Sequence, residues 1–490
     1  MNKLFVFGIG GTGSRVLRSL VELLASGVKI DSKFDTIVPI IIDPDEGSGE
    51  VERTIKVINT YKKIRKELSF DNSSQNTFFG TDISTEDYPK VILPLENTQD
   101  SKFSEYIGYD SLSKANKALA SALFSKKNLA SDMTVGFKGN PNVGSVVLNQ
   151  LQSSEDFQKI CQKFSDGDRI FVISSIFGGT GASGFPILVK NLRSLDVNIP
   201  NSNIIRQAPI GAITVLPYFN VEKNAESEID SSTFMSKTKA ALTYYSKSVR
   251  ECNAIYYVGD DSRVSYLNSE GGKTQKNNAH VIEFISALSI IDFMSISKDK
   301  FRTDRDTGCA IDTIYKEYGV QYKDVKELEC LNITNFSDQT LAITRKPLSQ
   351  FVLFMKFLEK SIIDKYKDQT WAKELGFNGN DFYGTDFYKH ISNFRETTIS
   401  WYKEMEDNKR GFSPFVYSSD DSETLFDYVK GVTQKGYGSH LFDKNYNLYN
   451  GVLNDVSNQF DRKVSRDKNR DFIELFYKTT ESLVDKKLVW

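Results

Sequence analysis

The chain has 490 residues, enough for two or three domains around a large apolar core. With 39% hydrophobic and 26% charged residues and a formal net charge of −2, it has the composition of a soluble protein, with no overall basic field for nucleic acid or an anionic membrane. The four cysteines (Cys161, Cys252, Cys309, Cys330) show no CxxC spacing and the three histidines (His280, His390, His440) lie far apart; this argues against a zinc site, a disulfide framework and a histidine triad, and suits a reducing cytoplasm.

The first element, KLFVFGIGGTGSRVLRSLVELL, reads as a short strand, then Gly8, Gly10, Gly11 and Gly13, then an amphipathic helix. Glycines let backbone N–H groups approach an anion, and a helix N-terminus favours negative charge. About thirty residues on, IVPIIIDPDE ends a second apolar strand in Asp43-Pro44-Asp45. Acids there sit on the crevice edge of an α/β sheet, where ribose hydroxyls or a phosphate-bound Mg²⁺ would lie; the same acids also suit a plain turn. Residues 53–135 then form a polar, turn-rich stretch, expected as a surface insertion that covers a sheet edge or contacts a partner. In GFKGNPNVGSVVLNQL, Gly139 and Asn140 lead into Pro141, and a helix is expected from Asn142 or Val143.

DRIFVISSIFGGTGASGFP follows, an apolar strand entering Gly178-Gly179-Thr180-Gly181 and then a helical pattern. GAITVLPYF and NAIYYVGDD read as further strands, the second as the last of the first domain. The segment 261–276 reads as a loop, and NNAHVIEFISALSIIDFM (277–294) as a buried, nearly all-apolar helix in which His280 packs or caps. Beyond it, LAITR (341–345) reads as a strand, and PLSQFVLFMKFLEKSIIDKY and DFYKHISNFRETTISWYKEMED as helices. The last segment, RDFIELFYKTTESLVDKKLVW, puts Phe472, Leu475, Phe476, Thr479 and Leu483 on one helical face, for the core or for a docking partner. No signal-peptide pattern precedes the first strand, and no apolar run reaches the ~20 residues that span a bilayer.

Taken in order, GIGGTGSRV, IIDPDE, GNPNVG, FGGTGASGFP and GAITVLPYF resemble the loop and strand motifs of the tubulin/FtsZ superfamily of GTPases, over roughly residues 1–300. The chain looks like a divergent bacterial tubulin-like protein. The resemblance implies an α/β fold: a Rossmann-type GTP-binding domain over 1–276, a long central helix over 277–300, and a second α+β domain over 301–490 with C-terminal helices. It implies that Gly10, Gly11, Thr12, Gly13 and Ser14 line the α/β-phosphates of GTP or GDP. Gly139 and Asn140, with Gly178, Gly179, Thr180 and Gly181, would enclose the terminal phosphates. Asp45, with Asp43, would hold Mg²⁺ through water, and Asn278 (or Asn277) would read the guanine.

In the family an acid after the central helix reaches the next subunit's nucleotide. By spacing, that role falls to Asp304, with Asp306 beside it, although both also suit exposed turn acids. The implied partner is a second copy, head to tail in a filament; a protein partner or membrane adaptor stays open, and nothing points to nucleic acid. Several positions depart from the family. Ser183 and Phe177 replace signature glycines, Arg15 replaces a base-reading asparagine, and Thr274 stands where an aromatic commonly stacks on the base. Two other readings remain: a nucleotide-gated scaffold of the same fold that does not hydrolyse, and an E1-like (ThiF/MoeB) adenylating enzyme, which accounts for the first 55 residues but not for GNPNVG or GGTGASGFP.

Overall fold

The computed structural model describes residues 1–45, 47–70, 77–85, 91–99, 101–134, 137, 140–221, 231–260, 265–266, 277–304, 306–307, 309–317, 329–408, 410–416, 429–430, 433–434, 445–460 and 467–489. Its centre is a parallel sheet of seven strands. In chain order the elements that frame the site are β1 (Asn2–Ile9), α1 (Gly10–Ala25), β2 (Phe34–Ile42), α2 (Gly49–Lys66), β3 (Asp82–Ile83), α3 (Lys114–Leu123), α4 (Pro141–Leu148), β4 (Arg169–Ser175), α5 (Gly179–Arg193), β5 (Ile210–Val215), β6 (Ala254–Val258), α6 (Val281–Ser295) and β7 (Ile314–Glu317). The helices α7 (Asp338–Phe357), α8 (Asp386–Glu406) and α9 (Lys468–Lys487) dominate the C-terminal part.

The strand order is β3-β2-β1-β4-β5-β6-β7, every neighbouring pair parallel. Parallel strands are covered on both faces, which is why β4 and β5 are buried along their whole length. The chain winds outward from β1 in one direction and from β4 in the other. Their shared border is therefore the switch point of the sheet, where open α/β folds bind ligands at the carboxyl ends of the strands.

Several elements differ from the sequence expectation. Residues 53–66, expected as part of the insertion, belong to α2, which buries Val51, Thr54, Val57, Ile58, Tyr61 and Ile64 beside α1, and β3 pairs with β2. The helix expected from Asn142 starts at Pro141, whose fixed φ and missing N–H suit a first turn. The central helix starts at Val281, because His280 is its N-cap: its Nδ1 accepts the Ile282 N–H, and Glu283 returns a bond to the His280 N–H. The β-branched run LAITR lies inside α7, where the cap at Ser337 and burial of Thr340 and Thr344 outweigh its strand propensity. The strand β7, beyond the central helix in sequence, pairs with β6 and completes the sheet. Within 261–276 only the short strand Ser265–Tyr266 is described, paired with Asn220–Val221.

The central helix α6 is buried nearly all round. On the sheet side its Phe293 ring lies 5.4 Å from Phe171; on the other side Phe284 meets Phe336, Trp401 and Phe412 at 5.3–5.9 Å. The C-terminal helices share an aromatic core in which Phe476 packs on Phe354, Phe357, Trp371 and Phe472. Phe472, Leu475, Phe476, Thr479 and Leu483 are all buried, so that face of α9 is core rather than a docking face.

Candidate nucleotide site

Among the described residues, three helices at the carboxyl edge of the sheet start with neither a side-chain cap nor an acid in the first turn. At α1 the N-cap is Ile9, at α4 Asn140 and at α5 Gly178, and no acid sits in any of their first turns. Side chains cap several other helices: Ser113 on α3, Ser154 on Glu155–Gln162, Ser337 on α7, Thr385 on α8 and Asp467 on α9; α2 also starts uncapped, at Ser48, but carries Glu50 and Glu52 in its first turn. The first-turn N–H groups of α1, α4 and α5 thus keep their capacity for an external acceptor.

These starts are adjacent in space. A side chain on Gly10, whose φ is +72°, would lie 3.5 Å from Thr180 Cβ, so the loops after β1 and β4 touch. Gly144 on α4 abuts Ser183 of α5 so closely that a Cβ there would overlap the Ser183 hydroxyl. That contact requires glycine at 144, while the Ser183 Oγ donates to the Gly179 carbonyl at 2.7 Å, inside α5. The architecture is an open parallel α/β sheet with three glycine or asparagine loops at its switch point and a buried helix starting beside them.

The glycines of the first loop divide by role. A Cβ on Gly13 would stand 2.5 Å from the Gly8 carbonyl carbon, so Gly13 serves close packing of α1 on β1. Gly181 likewise packs against the Ser175 backbone, at 2.7 Å. Gly11 faces open space but for Arg15 Nη1 at 3.7 Å. Thr12 is buried, and its hydroxyl accepts from Arg15 at 3.3 Å. Ser14 is fully buried and donates to the Gly10 carbonyl at 3.2 Å, so its hydroxyl is turned into the helix. Gly139 lies outside the described residues.

Arg15 does not replace the family's asparagine as a free base reader. Its Nε donates to Glu283 at 2.6 Å and its Nη2 to the Tyr218 hydroxyl at 2.8 Å, while Nη1 lies 3.9 Å from Glu50. Tyr218 donates in turn to Glu283 at 2.6 Å. Burial opposes the charge of this guanidinium, but Tyr218, Glu283 and Glu50 outweigh it and hold the pKa well above its ordinary value. Glu50 also takes Arg53 and the Asn277 N–H, and Glu404 of α8 takes Arg18, Arg53 and the Ala279 N–H. Arg15, Arg18 and Arg53 are thereby balanced by Glu50, Glu283 and Glu404. This network escaped the motif reading; its one signal was Glu283, an acid in the first turn of a largely apolar helix. His280, pushed down to about 4 by burial, stays neutral and able to accept at the cap.

Asn278 is exposed, three residues before α6, at the same edge as the loops; Asn277 is anchored by its backbone between Glu50 and Arg53. Thr274 lies outside the described residues. Asp43 and Asp45 are buried at the end of β2, and Asp43 Oδ1 accepts the Asp45 N–H at 3.0 Å. Burial, with the Asp45 charge beside it, pushes the Asp43 carboxyl up to about 7. Among the described residues no group of three potential ligands forms a protein-only metal cage. A Mg²⁺ ion that keeps most of its waters needs only one or two carboxylates, and this pair fits that use.

Asp304 and Asp306 lie at the other end of the sheet. The central helix runs from the loop edge to the amino ends of the strands, where Arg169, the first residue of β4, donates to the carbonyls of Phe293 and Met294 at its last turn. Fifteen residues make that helix about 22 Å long. Asp304 Oδ1 accepts from the N–H groups of Asp306 and Thr307 and the Thr307 hydroxyl, at 2.8–3.1 Å; the Thr307 bonds hold its carboxyl below the usual range. Asp306 is exposed.

Among solved structures the chain is similar to CetZ from Methanosaeta thermophila, at 18% identity and a TM-score of 0.27, over 53% of this chain and 46% of that one. It is also similar to CetZ2 from Haloferax volcanii, a GTPγS-bound protofilament, at 12% identity and a TM-score of 0.30, over 61% of each chain. A third is the GDP-bound CetZ1 monomer of the same organism, at 12% identity and a TM-score of 0.30, over 61% of this chain and 62% of that one. The chain thus spans about half to three-fifths of these structures. No protein-family model matches the sequence, and no curated protein does.

Proposed function

We propose that the chain binds GTP or GDP with Mg²⁺ and assembles head to tail, with GTP hydrolysed where one subunit's 298–312 turn meets the next subunit's loops. The observation that supports it best is the convergence of three uncapped, acid-free helix starts at the switch point of a parallel sheet. Gly10, Gly11 and Thr12 with Gly178, Gly179 and Thr180 offer backbone donors to phosphate oxygens; Asn140 stands at the third start, and Asp43 and Asp45 are the pair for the cation. Bound Mg²⁺ would neutralise charge developing on the phosphates. Asn278, at the same edge, is the candidate for the base.

The loops and Asp304 are separated by the length of α6, so the acid cannot serve its own chain's nucleotide. A head-to-tail contact, which does not close on itself, brings these two ends together. The experiment is calorimetry with GTP, GDP and ATP, then sedimentation and turnover with and without Asp304→Ala/Asp306→Ala. The expected result is guanine-nucleotide binding unchanged in the variant, with turnover in assembled protein slowed at least ~10²-fold. Absence of GTP and GDP affinity in the unaltered chain sinks the whole reading.

One observation favours a second reading, the non-hydrolysing scaffold. The Asp304 carboxylate is already taken up by its own turn, which makes it a structural cap. Nucleotide-dependent assembly with no phosphate release selects that reading.

A further inference from the structure

We propose that α3 is a docking face for an anionic lipid surface. This helix turns most of its apolar residues to solvent. Ala120 is its one buried residue, while Ala115, Ala118, Leu119, Ala122 and Leu123 are all exposed, the two leucines at 59% each. Their spacing of three and four residues puts them on one stripe, on the side away from Ala120. The stripe cannot turn inward. Ser113 caps the helix, the Lys117 ammonium bonds the Asp110 carbonyl, and Phe124, just past its end, packs on Phe103 at 4.8 Å.

Between the flanking acids Asp110 and Asp132 the charge along the chain is all positive. From Ser111 to Ser131 the chain carries Lys114, Lys117, Lys126 and Lys127 and no aspartate or glutamate, a local excess that the overall charge of −2 conceals. Two leucines and three alanines on a helix about 15 Å long cover far less than the ~800 Å² per partner of a stable protein interface. They do match a shallow apolar strip that enters the headgroup region, with lysines held to anionic lipid on either side. An acidic protein or a second copy would have to find its remaining area elsewhere.

The test is flotation of the full chain with phosphatidylcholine vesicles, with and without phosphatidylserine, at low and high salt. Binding is expected only with phosphatidylserine and is expected to weaken as salt rises. Leu119→Glu/Leu123→Glu should lower the bound fraction at least ~10-fold, and Lys126→Glu/Lys127→Glu should lower it too. All four side chains are exposed, so the thermal melt should not change. No flotation of the unaltered chain, or equal flotation of the leucine variant, overturns the proposal. So does a change in sedimentation of the leucine variant without vesicles, which assigns the stripe to a second copy.

Discussion

Glycines that look alike in the motif have different duties. Gly13 is fixed by packing, since any side chain there meets the Gly8 backbone, whereas Gly11 opens toward the proposed phosphate site. Gly13→Val should therefore cost stability, by about 2–4 kcal/mol. Gly11→Val should leave the melting temperature within a few degrees of the unaltered chain and abolish nucleotide binding. Paired denaturation and calorimetry separate the two; loss of stability in Gly11→Val would contradict the division. The loops themselves were legible from residue type and order. The partner of Arg15 was not, because Glu283 is 268 positions away and only folding brings it to 2.6 Å.

Glu22 supplies a pH test at the same scale. It is buried between α1 and α8, with one carboxyl oxygen accepting from Thr398 and the other unpartnered among the described residues. Burial pushes its pKa from 4.5 to about 7; Thr398 and Arg18 oppose this, and Glu404 adds to it. The folded state therefore holds the proton more tightly than the unfolded chain. The stability this supplies is full below about pH 4.5 and is lost as the pH rises through about 7. Glu22→Gln removes the titration. Its advantage should grow from nearly nothing at pH 4 to on the order of 3 kcal/mol at pH 8. Melts across that range check it, and a pH-independent difference would refute it.

Among the elements, what the sequence could not show was which helix starts lack caps. Asn140 is a good cap by residue type, yet its side chain does not cap α4. Cap use depends on rotamers and neighbours that only the assembled edge fixes. Similarly, LAITR carries strand residues, but its place in α7 is decided by what packs on Thr340 and Thr344. The free helix starts yield a direct test. Gly178 has an extended backbone, φ −84° and ψ 164°, which any residue can adopt. Gly178→Asp should cap α5 and place a negative charge on the anion site. A Cβ there would stand 3.0 Å from Ser175 Oγ, which must rotate away; with that adjustment stability should hold within about 1 kcal/mol while nucleotide affinity falls at least ~10²-fold. Unchanged affinity by calorimetry would remove α5 from the site.

For the molecule as a whole, the two halves are fused rather than strung together. Phe78 stacks on Phe354 at 5.1 Å and meets Phe351 and Tyr477 edge-on, and Glu404 binds both Arg18 and Arg53. Trp371 and Trp401 are buried in the C-terminal half and report its packing. Their fluorescence should change in the same thermal transition that melts the sheet by circular dichroism. Two separated transitions would mean that the halves unfold alone. The N-terminal half was readable because its motifs are short and ordered. The C-terminal half is held by aromatic contacts between distant helices, which leave no local pattern.

The strand β7 has a consequence for how the chain reaches its native state. It is one of the two edge strands, yet it follows the central helix in sequence, so ribosomal synthesis delivers the sheet's last member after the helix that packs across it. Until then β6 presents a bare row of amide and carbonyl groups along AIYYV, with the apolar central helix already emerged. Unpaired edges of that kind invite pairing with a neighbouring chain. The nascent protein passes through an interval in which the AIYYV edge is open to strangers, and the arrival of residues 314–317 pairs it and leaves only a four-residue strand at that side of the sheet.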